Sequence, residues 1–119
     1  EIWRRYHDEL TEWATTNEVD RPHIPPGTTH SAHLYYLVLP TGESRSAFLA
    51  HLAERRLTAT IHYEALHETP AGRRFGRPGP NGCDVAADRP RRLVRLPMHG
   101  GMPSGYQERL IEAITTFNP

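Results

Sequence analysis

The sequence predicts one domain of the α/β or α+β class, in which helices pack against a small mixed sheet. Two observations indicate this fold class: helical and strand patterns interleave along the chain, and 119 residues allow one compact domain. We therefore assign residues 1–119 to a single domain. The mean hydropathy of −0.64 is low for a self-sufficient core, so we expect part of the apolar surface to pack against something outside this chain.

The first half of the chain predicts a helix, a strand and a second helix. Apolar residues recur at helical spacing over residues 1–16, with charged residues between them. Three prolines make residues 22–27 a loop. Residues 34–39 form an unbroken apolar run, which is typical of a strand covered on both faces. Thr41 is placed to cap the next helix, which extends over about residues 43–56.

The second half predicts one more strand and two helices. Residues 57–63 alternate between two faces, and residues 68–87 are mostly loop because they are rich in glycine and proline. A short helix is expected after Asp88, with a proline in its first turn. The last helix begins at a capping box of Ser104 and Gln107. Its apolar stripe consists of Tyr106, Leu110, Ile111, Ile114 and Phe117.

Composition narrows the chemistry that this chain performs alone. All fourteen basic residues are arginine, so the chain cannot form a Schiff base, use a lysine general base or build a P-loop. The formal net charge is zero and indicates no particular partner. No apolar run is long enough to span a membrane. The single cysteine, Cys83, excludes an intrachain disulfide and fits a reducing environment, so we expect a cytoplasmic protein.

Residues 62–67, His-Tyr-Glu-Ala-Leu-His, form the first candidate site. They lie where the second strand runs out into a loop, and strand ends in α/β sheets commonly face ligand crevices. His62, Tyr63 and His67 offer hydrogen-bond donors, acceptors and an aromatic face, which suit a sugar or a phosphate-bearing ligand. The alternative is that both histidines are ordinary surface residues and that Tyr63 belongs to the core.

Two further patterns suggest other site classes. Zinc ligands are available from histidines at HxxH spacing and from one cysteine, although scattered histidines are the alternative. These residues are His30, His33, His62, His67 and Cys83. Residues 73–95 carry seven arginines against two acidic residues, which suits phosphate or nucleic acid. The alternative for residues 73–95 is a solvated segment that pairs with the acidic residues 1–20, and we expect no nucleic-acid partner.

Several segments occur together in a familiar order and spacing. They are His-Leu-Tyr-Tyr-Leu-Val-Leu-Pro at 33–40, Leu-Ala-Glu-Arg-Arg at 52–56, Thr-Ile-His-Tyr-Glu-Ala-Leu-His at 60–67, Thr-Pro-Ala-Gly-Arg-Arg-Phe-Gly at 69–76 and Arg-Leu-Val-Arg-Leu-Pro-Met at 92–98. This set resembles the C-terminal small domain of the DegT/DnrJ/StrS sugar-nucleotide aminotransferases. Within that family, the resemblance is to the dTDP-4-amino-4,6-dideoxygalactose transaminases, and it covers nearly the whole chain.

The resemblance implies the small domain of a homodimeric fold type I enzyme. Such an enzyme holds pyridoxal phosphate (PLP) on a lysine of a large N-terminal domain, which this chain lacks. The implied amino donor is glutamate, and the implied acceptor is dTDP-4-keto-6-deoxyglucose or a similar keto-sugar nucleotide. By matching position, His62 and Tyr63 lie near the sugar end of the substrate, and His67 completes the segment.

The resemblance also limits what the chain is expected to do alone. The 119 residues are expected to hold no catalytic, cofactor-binding or metal-binding residue and to be inactive without the large domain. The alternative is a free-standing, non-catalytic binding module that keeps the small-domain fold.

Overall fold

Six α-helices and three short strands build the computed structural model, which describes all 119 residues and confirms the predicted fold class. In chain order the elements are α1 (Ile2–Glu9), α2 (Thr11–Thr16), β1 (Tyr35–Val38), α3 (Gly42–Glu54), β2 (Thr60–Ile61), a 3₁₀ turn (Leu66–Glu68), α4 (Pro70–Phe75), α5 (Asp84–Arg92), β3 (Leu93–Leu96) and α6 (Tyr106–Thr115). None of these helices has both the length and the apolar character that a membrane crossing requires.

The sheet has the order β1-β3-β2, so the last strand in sequence lies in the centre. Both pairings are antiparallel, with Tyr35 opposite Leu96 and Ile61 opposite Val94. The sheet is therefore antiparallel throughout, and the expectation of a mixed sheet is wrong. The reason is that β1 and β2, which the chain connects through α3, do not pair with each other, because β3 lies between them.

The core lies between the sheet and helices α1, α2, α3 and α6. Its fully buried side chains include Tyr6, Leu10, Tyr35, Leu37, Phe48, Leu52, Val94, Leu96, Leu110 and Ile114. Aromatic polar groups at its margin donate to backbone carbonyl groups of distant elements. Trp3 Nε1 donates to Leu34 O at 3.1 Å, and Trp13 Nε1 donates to Phe117 O at 2.8 Å. These bonds satisfy the indole N–H groups and hold both ends of the chain against the core.

The starts of α3 and α6 show which local sequence patterns were sufficient to predict a helix cap. Thr41 caps α3 as predicted, because its hydroxyl accepts a hydrogen bond from Ser44 N at 3.0 Å. The capping box at α6 is wrong, since the helix begins after Gly105 without a side-chain cap. Gln107 instead donates from Nε2 to Ile2 O at 2.8 Å and connects α6 to α1.

Three other helix predictions differ from the structure. The helix expected over 1–16 is interrupted at Leu10, which separates α1 from α2. Residues 70–75, expected to be loop, form α4, because Thr69 Oγ1 accepts from Gly72 N at 3.0 Å and a proline stands at the helix start. The helix α5 begins at Asp84 rather than after Asp88, and its proline lies inside the helix.

The second strand is much shorter than the alternation over 57–63 predicts. Only two residues pair with β3, and both are exposed. Leu57 is buried, but Ile61 is 49% exposed and Tyr63 is 67% exposed. No layer of this chain covers that end of the strand, so the alternative that places Tyr63 in the core is wrong.

His7 on α1 makes stability depend on pH. Its ring stacks on Trp3 at 4.7 Å, and its buried Nδ1 has no hydrogen-bond partner. Burial lowers the pKa of His7, and the positive charge of Arg21 lowers it further. In the unfolded chain, the imidazole of His7 takes up a proton near pH 6.5, whereas in the folded protein it does so only at a lower pH. Stability is full above that pH and is lost as the pH falls.

We expect His7→Gln to lose less stability between pH 7.5 and 5.5 than the unchanged protein does. The measurement is urea unfolding at the two pH values. His23→Gln is the matched control, because His23 is exposed on a loop. An identical pH-dependent loss in His7→Gln and in the unchanged protein would show that His7 makes no such contribution.

Candidate functional site

The candidate segment 62–67 leaves the sheet at its edge, because β2 pairs only with β3. His62 follows the last residue of β2, and the His62–Tyr63 peptide bond is cis. The two rings lie 3.9 Å apart, centroid to centroid, in an edge-on arrangement. The structure thus brings His62 and Tyr63 together and leaves the tyrosine ring open to a molecule outside the chain.

His67 lies apart from this pair, in the 3₁₀ turn, and no hydrogen bond or ring contact joins it to His62 or Tyr63. The turn is nevertheless held firmly. Thr69 Oγ1 donates to Leu66 O at 2.7 Å, and Arg91 on α5 forms an ion pair with Glu68 at 2.7 Å. His67 therefore occupies a defined position beside the pair, without direct contact.

Exposed apolar side chains are concentrated in one stretch of the sequence, from the end of β2 to the start of α5. These are Ile61, Tyr63, Leu66, Phe75 and Val85. Leu66 is the most exposed of them at 81%. Isolated exposed apolar residues are common on proteins, and their concentration in one segment of the sequence makes that segment a candidate for contact with another molecule.

The electrostatic surroundings of His62 favour its neutral form. Burial lowers the pKa of His62, and the charges of Arg95 and His33 lower it further. Arg95 lies on β3 directly opposite Thr60, two residues before His62. A neutral imidazole both donates and accepts a hydrogen bond, which suits a sugar hydroxyl or a carbonyl group.

The sequence identifies Arg95 as one of the seven basic residues over 73–95 and as part of the segment 92–98, without a role in the site. Its neighbour Thr60 belongs to the alternating strand and to the segment 60–67, also without a role in the site. The missing signal is the strand pairing, which places these side chains opposite each other and close to His62. Both residues line a cleft of about 400 Å³ at the sheet edge.

The metal-site interpretation of the histidines and Cys83 is wrong. No group of three or more histidine, cysteine, aspartate or glutamate side chains is close enough to hold a metal ion. His30 is engaged elsewhere, since its Nδ1 accepts from Ala32 N at 2.8 Å and its ring lies 4.2 Å from that of Trp3. The spacing of these residues along the chain therefore does not bring three of them together.

Three of the seven arginines in residues 73–95 are bound within the chain. Arg89 pairs with Asp20, which raises the pKa of its guanidinium. Arg91 pairs with Glu68, and Arg92 pairs with Asp88 at 2.5 Å and donates to Leu39 O at 3.1 Å. The contact with Asp20 is the pairing between basic and acidic segments that the solvated alternative expects. Exposed pairs of this kind each contribute about 0–1 kcal/mol.

Comparisons with known proteins agree with this architecture. The model of the DegT/DnrJ/EryC1/StrS aminotransferase family matches residues 1–115. The chain is similar to a DegT/DnrJ/EryC1/StrS aminotransferase from Brucella abortus, with 27% identity and a TM-score of 0.80 over 98% of the chain and 29% of that protein.

Two more distant structures share the fold. The aminotransferase TlmJ from Streptoalloteichus hindustanus has 24% identity and a TM-score of 0.72 over 96% of the chain and 29% of its own length. NtdA from Bacillus subtilis, solved with bound cofactor PMP, has 18% identity and a TM-score of 0.71 over 95% of the chain and 26% of its own. The chain therefore spans less than a third of these proteins. The match over residues 1–115 shows that the chain belongs to the DegT/DnrJ/EryC1/StrS aminotransferase family.

Proposed function

We propose that this chain is the C-terminal small domain of a PLP-dependent sugar-nucleotide aminotransferase. In this proposal the whole enzyme transfers an amino group from glutamate to dTDP-4-keto-6-deoxyglucose or a similar keto-sugar nucleotide. The observation that carries the proposal is the family match over residues 1–115, supported by folds that cover nearly all of this chain but about 29% of the Brucella protein.

The residues of this chain do not fit PLP itself. The chain has no lysine to form the covalent link with the cofactor aldehyde. The proposal therefore places the cofactor in a large domain of the same polypeptide, which supplies the amino-transfer chemistry. The PMP bound to NtdA supports a cofactor of this class for the whole enzyme. We assign no step of that chemistry to these 119 residues.

What this chain contributes is contact with the sugar. The open ring of Tyr63 offers an aromatic face for the apolar side of a sugar, and its hydroxyl donates or accepts a hydrogen bond. His62, neutral because of burial and two nearby basic side chains, binds a sugar hydroxyl or the keto oxygen from beside that ring. His67 completes the segment from the 3₁₀ turn.

The exposed apolar residues support a partner for this surface. Ile61, Leu66 and Phe75 are too exposed to contribute to the core of this chain. In the proposal they pack against the large domain and exclude water from the substrate, because burial of apolar surface there favours docking. The homodimer and the cytoplasmic localisation stay predictions.

Tyr63→Ala tests the sugar-binding role in the whole enzyme. We expect kcat/KM of the keto-sugar half-reaction to fall about 10- to 100-fold, because one lost stacking or hydrogen-bonding contact costs roughly 1.5–3 kcal/mol. The glutamate half-reaction is expected to change little. Rapid-mixing absorbance of the cofactor measures each half-reaction separately, and Tyr63→Phe separates the ring from its hydroxyl. Equal losses in both half-reactions would indicate a purely structural role.

The absence of lysine is equally compatible with a second candidate, a free-standing binding module without catalysis. The intact mass of the purified natural protein and its absorbance in the PLP band separate the two. A mass far above 13.6 kDa with that band supports the aminotransferase. A mass of this chain alone without the band supports the module. The 119-residue fragment is expected to show no transaminase turnover.

A further inference from the structure

We propose that the cleft formed by Arg95, Thr60, His33 and His99 is an anion site that binds a phosphoryl group. Its assignment to the diphosphate of a nucleotide sugar rests on the function proposed above. The four side chains come from three places in the chain: the segment before β1, strand β2, and strand β3 with the segment that follows it.

The strand register places the polar groups on the outer face of the sheet. Val94 and Leu96 on β3 are buried in the core, so the half-buried Arg95 between them points to the opposite face. Thr60 is the direct cross-strand partner of Arg95 and shares that face. The two side chains therefore stand next to each other over the cleft of about 400 Å³.

The charges in the cleft are unbalanced. No carboxylate lines it, and Arg95 forms no ion pair, whereas Arg89, Arg91 and Arg92 of the same basic segment all do. A half-buried guanidinium without a counter-charge is costly and favours the binding of an anion. Its charge and that of His33 already affect the pKa of His62, so the positive field extends to the candidate site.

The donors suit a phosphoryl group better than a carboxylate. Besides the planar guanidinium fork of Arg95, the cleft is lined by the imidazoles of His33 and His99 and by the Thr60 hydroxyl, which come from three separate segments of the chain. Donors from several directions match a tetrahedral oxyanion, whereas a planar carboxylate is satisfied by the fork alone. The remaining lining residues, Leu34, Thr58, Leu96, Pro97 and Met98, add no charge that would oppose an anion.

The frame of the cleft is held by hydrogen bonds to distant residues. Tyr6 Oη donates to Pro97 O at 2.8 Å, and Tyr106 Oη accepts from Thr58 N at 3.1 Å. The cleft is therefore preformed, which lowers the entropic cost of binding. The cleft also adjoins the proposed sugar contact. Thr60 and His62 are two positions apart along an extended chain, which is a distance of about 7 Å. In this proposal, one sugar nucleotide spans the contact at His62 and Tyr63 and the neighbouring cleft.

The test measures binding of dTDP, thymidine, inorganic phosphate and glutamate to the whole protein by calorimetry. We expect Arg95→Gln to weaken the affinity for dTDP about tenfold or more, because a charge-assisted contact is lost, and to leave the affinity for thymidine unchanged. The dTDP affinity should fall with added salt, and less steeply in the variant. Arg77→Gln is the matched control, an exposed arginine of the same basic segment outside the cleft, and should bind like the unchanged protein.

Thr60→Val provides a second variant with little risk to folding, since Thr60 is exposed, and should weaken dTDP about fivefold. Equal dTDP affinity in both cleft variants and the unchanged protein would overturn the site. If the cleft variants lost affinity only for glutamate, that result would overturn the assignment to a phosphoryl group. An Arg95-dependent loss of inorganic phosphate binding without any dTDP binding would keep the anion site but overturn its nucleotide source. Arg95-dependent dTDP binding in a protein without transaminase turnover would keep the site while the proposed function fails.

Discussion

In the whole enzyme proposed above, Gly72→Ala is expected to reduce keto-sugar turnover strongly while it leaves the folded core of this chain intact. A Cβ atom on Gly72 would lie 1.7 Å from Leu66 O and 2.7 Å from the Leu66 carbonyl carbon. Both are backbone atoms, so no side-chain rotation relieves the clash. The 3₁₀ turn that carries His67 has to move away from α4. A displacement of about 1 Å beside a bound substrate reduces the rate on the order of 100-fold.

The core is expected to tolerate this change because neither the 3₁₀ turn nor α4 buries a side chain. Thermal unfolding should therefore shift little, whereas amide exchange over residues 65–73 should become faster. Gly79→Ala is the matched control, since nothing lies within 4 Å of a Cβ atom there. Unchanged exchange and unchanged turnover in Gly72→Ala would show that the turn does not depend on this close approach.

Phe48→Ala is expected to produce the largest loss of stability in the chain. The ring is fully buried on α3 and contacts Phe117 at 5.3 Å and Trp13 at 6.3 Å between centroids. Its removal leaves a cavity in the core and costs about 3–5 kcal/mol. That is a large fraction of the roughly 5–15 kcal/mol that stabilises a typical domain.

Urea unfolding at equilibrium measures this loss. Glu54→Ala is the control on the same helix, because the side chain of Glu54 is 77% exposed and its ion pair with Arg55 spans 3.8 Å. A change within about 0.5 kcal/mol is expected there. A loss in Phe48→Ala no larger than in Glu54→Ala would mean that the packing of α3 against Trp13 and Phe117 contributes little to stability.

Features that depend on nearby residues could be predicted from the sequence. Thr41 caps α3 because its partner, Ser44 N, is three residues away, and no other part of the chain competes for its hydroxyl. The same reasoning failed at Gln107, because the carbonyl group of Ile2 at the other end of the chain takes its amide. At α4, the glycines suggested a loop, although the local start signal at Thr69 was sufficient for a helix.

The sheet shows that alternation of residues along the chain predicts that a strand exists but not how long it is. Alternation over residues 57–63 correctly indicates a strand, but its length depends on the partner, and β3 pairs with two of those residues. Residues 93–96 alternate in burial, yet a four-residue run with an arginine inside it has no distinct strand pattern. Strand order and direction depend on which distant segment forms the hydrogen bonds, which no local pattern contains.

The candidate site likewise has features that the sequence could predict and features that only the tertiary structure shows. The order and spacing of several segments were sufficient to indicate the family, and the composition alone excludes a lysine-bound cofactor on this chain. The exposure of Tyr63 and the cleft around Arg95 became visible only in three dimensions. Chemical identity is local to each residue, whereas exposure and the meeting of unlike side chains depend on contacts between segments far apart in the chain.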